Sequence, residues 1–389
     1  MSVKVALNLL WLVPGVVGGT ENYAVGLLEP LVSRPEVTPV AFALPGFVKQ
    51  YPELAAAAHT VVPPLPQGRH VVRRVLVENA WLPRQLRLNN VELVHHLGGT
   101  MPSGGDVPAV VTLHDLQYLA YPQYFSAPKR RYLDLMQGRS LKRARTVMAV
   151  SEFTRAQAIT TFSLDAEKVA VVPPVVPPLR ALSDTTRATI LRDLGLRTAF
   201  VLYPAATYPH KNHAVLLQAF AKVVKDHDVT LVLTGAVGAG AWGSAHSTQA
   251  EIAELTTRLG IERHVRTLGY VTPEQLAALY YEASLLAFPS RFEGYGIPVV
   301  EAMSAGCPVV VADATALPAL VRSGADGDRD AGVIVDPDDV AGWAQAITHL
   351  LSDTAHRRRL AIAGRARVAA LAAADPVQRL VDVYLKAAG

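Results

Sequence analysis

Cysteine is nearly absent from the chain, because its 389 residues include only Cys307. A single thiol cannot close an intramolecular disulfide, and it excludes a metal site built from several cysteines. We therefore expect a reducing, cytoplasmic compartment. Long apolar runs are also missing. The chain has no stretch of about 18 or more uncharged apolar residues, so we expect no segment that spans a bilayer. The apolar start lacks the basic region and cleavage site of a signal peptide, so we interpret it as a buried strand.

Charged residues are scarce as well, at 18% of the chain against 50% hydrophobic residues. This composition is typical of a globular protein and not of a disordered one. A chain of this length exceeds what one hydrophobic core usually supports, so two domains are expected.

The net charge of +4 is concentrated in two basic stretches, residues 68–87 and 129–145. Each stretch is either a solvated helix face or a peripheral surface for anionic lipid or a phosphorylated acceptor. Neither stretch has the interleaved aromatic residues or the recognition helix of a nucleic-acid-binding protein. Nucleic acid is therefore not an expected partner.

Short apolar, β-branched runs alternate with helical stretches along the chain, as in "AVVTLHD" and "SLLAFPS". This alternation predicts parallel sheets covered on both faces, hence an α/β fold. Four prolines within residues 171–182 interrupt it and indicate a linker. We predict two doubly wound Rossmann-like domains that face a central cleft, followed by a helix that packs back toward the first domain. The predicted ranges are residues 1–176, 177–371 and 372–389.

Two glycine-rich segments could bind nucleotides. Gly15, Gly18 and Gly19 follow the first strand, where they either expose backbone amides to an anion or form a tight turn. A G-x-G-x-x-G pattern occurs at residues 238–243, but no helix opening follows it and no acidic residue ends a strand about 20 positions later. We therefore expect neither a nicotinamide nor any other cofactor.

Two further candidates lie at predicted strand ends, where ligands bind in open sheets of this kind. His114 ends the strand "AVVTLHD" and is either a structural histidine or one that faces the cleft. Lys211 lies between a strand and a helix, where it is either a surface residue or a compact charge for a phosphate.

The segment at residues 290–313 predicts a strand, a glycine loop and a helix that begins near Pro298. Gly294 and Gly296 would expose backbone amides to an anion held by the helix dipole. This arrangement predicts a diphosphate site.

Two carboxylates bracket that site in the sequence, Glu293 before the glycines and Glu301 about one turn inside the helix. Carboxylates repel phosphates but accept hydrogen bonds from hydroxyls. The ligand that suits them has hydroxyls at both ends and phosphates between, which is a nucleotide sugar. We expect Glu301 to face the ribose and Glu293 the transferred sugar.

Taken together, the chain resembles the retaining glycosyltransferases of family 4, which have the GT-B architecture. The resemblance covers nearly the whole chain and is carried by Glu293-x7-Glu301 with its setting "FEGYG-P-VEAM-AG-PV", "KN" at Lys211, "HD" at His114, "VSEFT", and the glycine turn. It implies that Lys211 holds the diphosphate and that His114 binds a sugar hydroxyl near the reacting carbon, with His114, Lys211 and Glu293 as catalytic residues. Other implied donor contacts are Gly18, Gly19, Gly296 and Ile297 through amides at the diphosphate, and Tyr270 and Val271 at the base.

One position departs from the family pattern. Many members have an arginine about six residues before the lysine, where this chain has Ala205, and Arg291 is our candidate substitute. No D-x-D at a strand end suggests a metal, so we expect Lys211, amides and helix dipoles to neutralise the leaving group.

The expected function is metal-independent hexosyl transfer from a nucleotide-diphosphate sugar, with GDP-mannose favoured, to a glycan, lipid-linked or small-molecule acceptor. We expect retention, by attack on the face from which the diphosphate leaves. The alternatives are transfer from a UDP- or dTDP-sugar to a small metabolite, and a sugar-nucleotide epimerase. A glycoside hydrolase would not need a phosphate site. We expect a cytoplasmic protein; if the basic stretches bind anionic lipid, they contact the inner face of the membrane.

Overall fold

The computed structural model describes residues 2–15, 19–65, 71–235, 249–322 and 330–389. These residues form two compact units. The first comprises residues 1–116, 127–176 and 375–389, and the second comprises residues 117–126 and 177–374. Residues 117–126 thus belong to the second unit, although their sequence position is inside the predicted first domain.

The strands within the described ranges are β1 (Val3–Leu9), β2 (Val37–Ala43), β3 (Leu93–His96), β4 (Ala109–Leu113), β5 (Thr146–Ala149), β6 (Val169–Val171), β7 (Phe200–Pro204), β8 (Thr230–Thr234), β9 (Val265–Gly269), β10 (Leu285–Phe288), β11 (Val309–Ala312) and β12 (Val333–Val335).

The α-helices are α1 (Gly19–Leu31), α2 (Pro45–Gln50), α3 (Pro52–Ala57), α4 (Val71–Leu88), α5 (Gln117–Ala120), α6 (Ala127–Arg143), α7 (Glu152–Phe162), α8 (Asp184–Asp193), α9 (His213–Val223), α10 (Gln249–Leu259), α11 (Pro273–Glu282), α12 (Ile297–Ala305), α13 (Leu317–Val321), α14 (Val340–Ser352), α15 (Thr354–Ala373) and α16 (Pro376–Ala388). Short 3-10 helices span Pro122–Tyr124, Ala166–Lys168, Pro209–Lys211 and Glu262–His264.

Within the described residues, each unit contains one parallel six-stranded sheet. The order is β2-β1-β3-β4-β5-β6 in the first unit and β12-β11-β10-β7-β8-β9 in the second. Strands β3, β4 and β5 are buried along their whole length, as are β10 and β11, because helices cover both faces. The predicted α/β class with two Rossmann-like sheets is confirmed.

Helix boundaries follow the local sequence signals. Ser151 caps α7, since its side chain accepts a hydrogen bond from the backbone N–H of Thr154. Pro298 lies in the first turn of α12, as predicted, where its missing N–H has no intrahelical partner to lose.

Helix α16 belongs to the first unit and contacts β1, β3 and β4. It buries Leu380, Val381 and Tyr384, whereas Leu385 remains 40% exposed. Tyr384 also contacts the buried His95, with 2.7 Å between its hydroxyl and Nδ1. A buried polar contact therefore accompanies the apolar face of the helix.

None of the helices in the described ranges combines the length and the apolar character that crossing a bilayer requires.

Candidate active site

The second sheet has a topological switch point between β7 and β10. These strands are neighbours, with Val201 paired to Leu285, and the chain leaves β7 toward β8 on one side while β10 lies on the other. Ligands of open α/β sheets bind at the carboxyl ends of strands at such a point. The loops that follow β7 and β10 carry Lys211 and Glu293.

Hydrogen bonds tie these two loops together. The backbone N–H of Arg291 donates to the carbonyl of His210, at 2.8 Å. Asn212 has a left-handed backbone with φ of 61°, and its Nδ2 donates to the carbonyls of Pro289 and Pro337, at 3.2 and 2.6 Å. The position of Lys211 is therefore set by the loop after β10 as well as by its own.

Lys211 and Glu293 form an ion pair, with 2.6 Å between Nζ and Oε1. Their side chains are only 18% and 13% exposed, so the pair is partly shielded from solvent. The Tyr203 hydroxyl donates to the carbonyl of Lys211, which fixes the backbone at the lysine. The backbone N–H of Glu293 donates to Thr315 Oγ1, at 3.0 Å. An anion that binds Lys211 must compete with Glu293 for the ammonium group.

The amino end of α12 follows Glu293 in the same loop. Gly296 caps the helix with φ of +109°, and a Cβ atom at this position would lie 2.8 Å from Leu317 and 3.0 Å from Leu320. Only glycine fits both this conformation and this space. The first backbone N–H groups of a helix have no intrahelical partner, and the helix dipole favours an anion there by ~0.3–1 kcal/mol. The loop at Gly294, Gly296 and Ile297 therefore suits a phosphate.

Glu301 lies one turn inside α12 and accepts a hydrogen bond from the Tyr280 hydroxyl, at 2.8 Å from Oε2. Burial raises the pKa of Glu301 above its ordinary value, while the hydrogen bond from Tyr280 acts in the opposite direction. Tyr280 is itself fully buried on α11 and occupies one oxygen. The carboxylate is thus held in place and keeps further acceptor sites for a hydroxyl.

Arg291 is engaged elsewhere in its loop. Its Nε and a terminal nitrogen both donate to Asp338 Oδ1, and the Nε distance is 2.9 Å. A carboxylate therefore already pairs the cation that the sequence suggested for the second phosphate. Ala205, the departing family position, is 8% exposed and abuts Gly235, whose Cβ would lie 2.6 Å from the Ala205 backbone.

The candidate base contacts lie at the end of β9. Gly269 has φ of +67°, and its carbonyl accepts a hydrogen bond from the backbone N–H of Gly235. Tyr270 is 72% exposed and Val271 is partly exposed. Within the described residues, neither side chain forms a hydrogen bond or an ion pair with Lys211, Glu293 or Glu301.

In the first unit, the glycine turn after β1 binds the carboxylate of Glu21, a residue of α1. The backbone N–H of Gly15 donates to Glu21 Oε2 at 2.8 Å, and Glu21 is buried. The amide of Gly15 is therefore used within the turn, which supports the tight-turn interpretation for that glycine. Gly19 is exposed as the first residue of α1, and Gly18 lies outside the described residues.

His114 directly follows β4 and is held by two contacts. Its Nε2 lies 2.7 Å from the carbonyl of Leu97, and the ring of Tyr23 meets it edge-on at 4.9 Å between centroids. Because a carbonyl only accepts, Nε2 carries the proton and Nδ1 is an acceptor. Burial lowers the pKa of His114, which keeps the imidazole neutral. Such a ring can accept a hydrogen bond from a sugar hydroxyl.

The adjacent pair His95 and His96 does not converge on one point. His95 contacts Tyr384 and Thr112, whereas Nδ1 of His96 lies 3.0 Å from Asn8 Nδ2. The alternation of side chains along β3 separates them.

Sequence reasoning missed three residues that shape the second-unit site, namely Tyr280, Thr315 and Asn212. Tyr280 lies in a helix that looks merely amphipathic, and its link to Glu301 is a tertiary contact. Thr315 and Asn212 have left-handed backbones, with φ of 53° and 61°. The asparagine after Lys211 was a usable signal, since asparagine tolerates that conformation better than most residues.

Two family models match the chain. "Glycosyltransferase Family 4" matches residues 17–180, and "Glycosyl transferases group 1" matches residues 189–367. Together they cover most of both units.

Among curated proteins, the O-antigen chain mannosyltransferase B of Escherichia coli is 30% identical over 71% of this chain and 70% of that protein. The D-inositol 3-phosphate glycosyltransferase of Salinispora arenicola is 33% identical over 72% of this chain, and the match spans 63% of that protein. Among solved structures, Anabaena Alr3699/HepE in complex with UDP and glucose shares the fold, with a TM-score of 0.74, 21% identity, and coverage of 99% of this chain and 100% of that one.

Proposed function

The chain belongs to the family 4 glycosyltransferases of GT-B architecture, and on that premise we propose that it is a retaining, metal-independent hexosyltransferase. Its donor is a nucleotide-diphosphate sugar, with GDP-mannose favoured. Its acceptor is a hydroxyl of a glycan or of a lipid-linked acceptor. The observation that carries the proposal is the Lys211 ion pair beside the amino end of α12, with Glu301 one turn further on.

Donor binding exchanges one partner of Lys211 for another. The diphosphate takes the ammonium group and the amides at Gly296 and Ile297, and Glu293 is released from Lys211. The freed carboxylate accepts hydrogen bonds from the hydroxyls of the sugar, while Glu301 accepts from the ribose. In this way one exchange forms the phosphate site and the sugar site together.

The transfer step needs no protein nucleophile. The bond between the anomeric carbon and the diphosphate oxygen breaks, and the acceptor oxygen bonds to the same carbon from the face that the diphosphate leaves. The acceptor proton passes to a diphosphate oxygen. Lys211 and the α12 amides stabilise the negative charge on the leaving group. Such electrostatic stabilisation is usually the largest single contribution to the rate enhancement. The neutral His114 accepts a hydrogen bond from a sugar hydroxyl.

The transferred sugar and the acceptor are proposed by similarity. The Escherichia coli relative is named as a mannosyltransferase that acts on O-antigen chains, which favours mannose and a glycan acceptor. The Salinispora relative is named for inositol 3-phosphate, and the Anabaena structure holds UDP. These two names are the support for a second candidate function, which is transfer from a UDP-sugar to a small phosphorylated acceptor.

A donor screen tests the proposal. We expect one nucleotide class, GDP before UDP or dTDP, to raise the thermal midpoint of the full chain, because a ligand that binds only the folded state stabilises it by about 2.7 kcal/mol at 100 times its Kd. The bound donor should be consumed only when an acceptor is added, and EDTA should not change the rate. Donor turnover without acceptor would instead indicate an epimerase, and stabilisation by no nucleotide would contradict the proposal.

The basic stretches support a further part of the proposal, contact with an anionic membrane. Helices α4 and α6 overlap these stretches and expose Leu76, Leu88 and Leu135 at 63%, 64% and 56%. Exposed leucines beside exposed cations such as Arg139 and Lys142 suit the surface of an anionic bilayer.

We expect the protein to bind vesicles that contain anionic lipid at low salt, and to be released at high salt because screening shortens the electrostatic range. Cosedimentation measures the bound fraction. The variant R139E/K142E should lower it severalfold, since each cation near the surface contributes about 1 kcal/mol. Equal retention on neutral vesicles would contradict an electrostatic contact, and no retention at low salt would remove the membrane from the proposal.

A further inference from the structure

Two histidines and one aspartate meet where α14 ends and α15 begins. His349 lies in the last turn of α14, Asp353 is the N-cap of α15, and His356 lies in the first turn of α15. His349 Nε2 and His356 Nδ1 are 3.0 Å apart, and a carboxylate oxygen of Asp353 completes a set of atoms within 4.8 Å of one another. The two nitrogens thus face each other across a single point.

This geometry is close to what a zinc ion requires. Zinc–nitrogen bonds of about 2.0–2.1 Å at a tetrahedral angle place two nitrogens roughly 3.4 Å apart. The observed separation needs only a small opening of the two rings. The hydrogen bond between them requires at least one unprotonated nitrogen, and a change of tautomer in the other neutral ring leaves both nitrogens free to bind a metal.

Asp353 can supply the third ligand without losing its structural role. Its Oδ1 accepts a hydrogen bond from the backbone N–H of His356 at 2.8 Å, which caps α15. A carboxylate has two oxygens with several lone pairs, so it can accept from the cap and still bind a metal. Two imidazoles and a carboxylate are a donor set that suits zinc.

An ion can reach this cluster from solvent. His349 is exposed, and it also lines a groove of about 720 Å³ between β12 and α14, beside Thr348 and Ser352. Arg359 interacts electrostatically with both Asp353 and His356, so one cation opposes a bound metal. Three protein ligands would leave a fourth position for water.

We propose that His349, Asp353 and His356 form a zinc site that joins α14 to α15. The site lies on α14 and at the start of α15, and it shares no residue with the donor site of Lys211, Glu293 and Glu301. It therefore stands independently of the proposed donor site.

Calorimetric titration of the chelator-treated full chain with zinc chloride tests this site. We expect binding of one ion per chain, and the H349A and H356A variants should each bind at least about 10-fold more weakly, because each removes a direct ligand. D353N should also weaken binding while keeping the cap, since asparagine caps helices as well as aspartate does. R359A should tighten binding, because it removes the opposing cation.

H59N is the matched control, because His59 is an exposed histidine of the first unit. It should bind zinc as the unmodified chain does. Circular dichroism would verify that each variant is folded. The inference is overturned if the unmodified chain binds no zinc at one ion per chain, or if H349A and H356A bind it with undiminished affinity.

Discussion

Replacing Lys211 with alanine should lower kcat/KM for glycosyl transfer by about 10²- to 10³-fold, the usual cost of removing one preorganised donor that stabilises a leaving-group charge. The variant loses the ammonium group that neutralises the diphosphate. It also leaves Glu293 beside the phosphates without its cation, which adds repulsion. Steady-state kinetics with the donor identified by the screen measure the loss. Lys211→Arg should retain part of the activity, because it keeps the charge but not the compact geometry.

The control for this variant is Lys222→Ala, which removes an exposed lysine from α9, the helix that follows Lys211. We expect its kinetics to match the unmodified chain. If Lys211→Ala folds normally and retains full donor turnover, the diphosphate does not depend on this lysine and the assignment is wrong.

Replacing Glu293 with glutamine should separate nucleotide binding from transfer. The ion pair at 2.6 Å is lost, so Lys211 no longer has to leave a carboxylate before it binds the diphosphate. We expect the free nucleoside diphosphate to bind about 5-fold more tightly, which corresponds to about 1 kcal/mol for a partly exposed pair. Transfer should nevertheless fall by about 10- to 100-fold, because hydrogen bonds to a charged acceptor are worth about 1.5–3 kcal/mol.

Glu301→Gln is the matched comparison, since it removes the other carboxylate of the same loop and helix. This variant should bind the nucleoside diphosphate more weakly, because its acceptor faces the ribose and holds no ammonium group. Calorimetry with the diphosphate, without the sugar, measures both constants. A Glu293→Gln variant that binds the diphosphate more weakly would show that the ion pair does not compete with the ligand.

The architecture was largely predictable because buried parallel strands leave continuous apolar runs, as in β4 and β10. The proline-rich segment that follows β6 also indicated a linker without tertiary information. The placement of residues 117–126 in the second unit was not predictable. That segment contacts its unit through long-range packing, such as Tyr121 edge-on to Phe292 at 6.0 Å, and local patterning carries no trace of it.

The candidate site also has features that the sequence predicts and features that it does not. The loop glycines, the start of α12 and the proximity of Lys211 and Glu293 follow from local signals and from the order of parallel strands. Three side-chain contacts depend on the tertiary structure and could not be predicted from the sequence. They are the ion pair between Lys211 and Glu293, the Tyr280 contact to Glu301 and the Asp338 contact to Arg291. The hydrogen bond from the Gly15 amide to Glu21 was not predictable either. The sequence of a glycine turn is the same whether its amides bind a ligand or a side chain of the following helix.

A crystal structure with the nucleoside diphosphate donor bound tests the central claim most directly. We expect the diphosphate within hydrogen-bond distance of Lys211 Nζ and the backbone N–H of Ile297, with Glu301 on the ribose and Glu293 turned to the sugar. A diphosphate bound elsewhere, with Lys211 still paired to Glu293, would contradict the account.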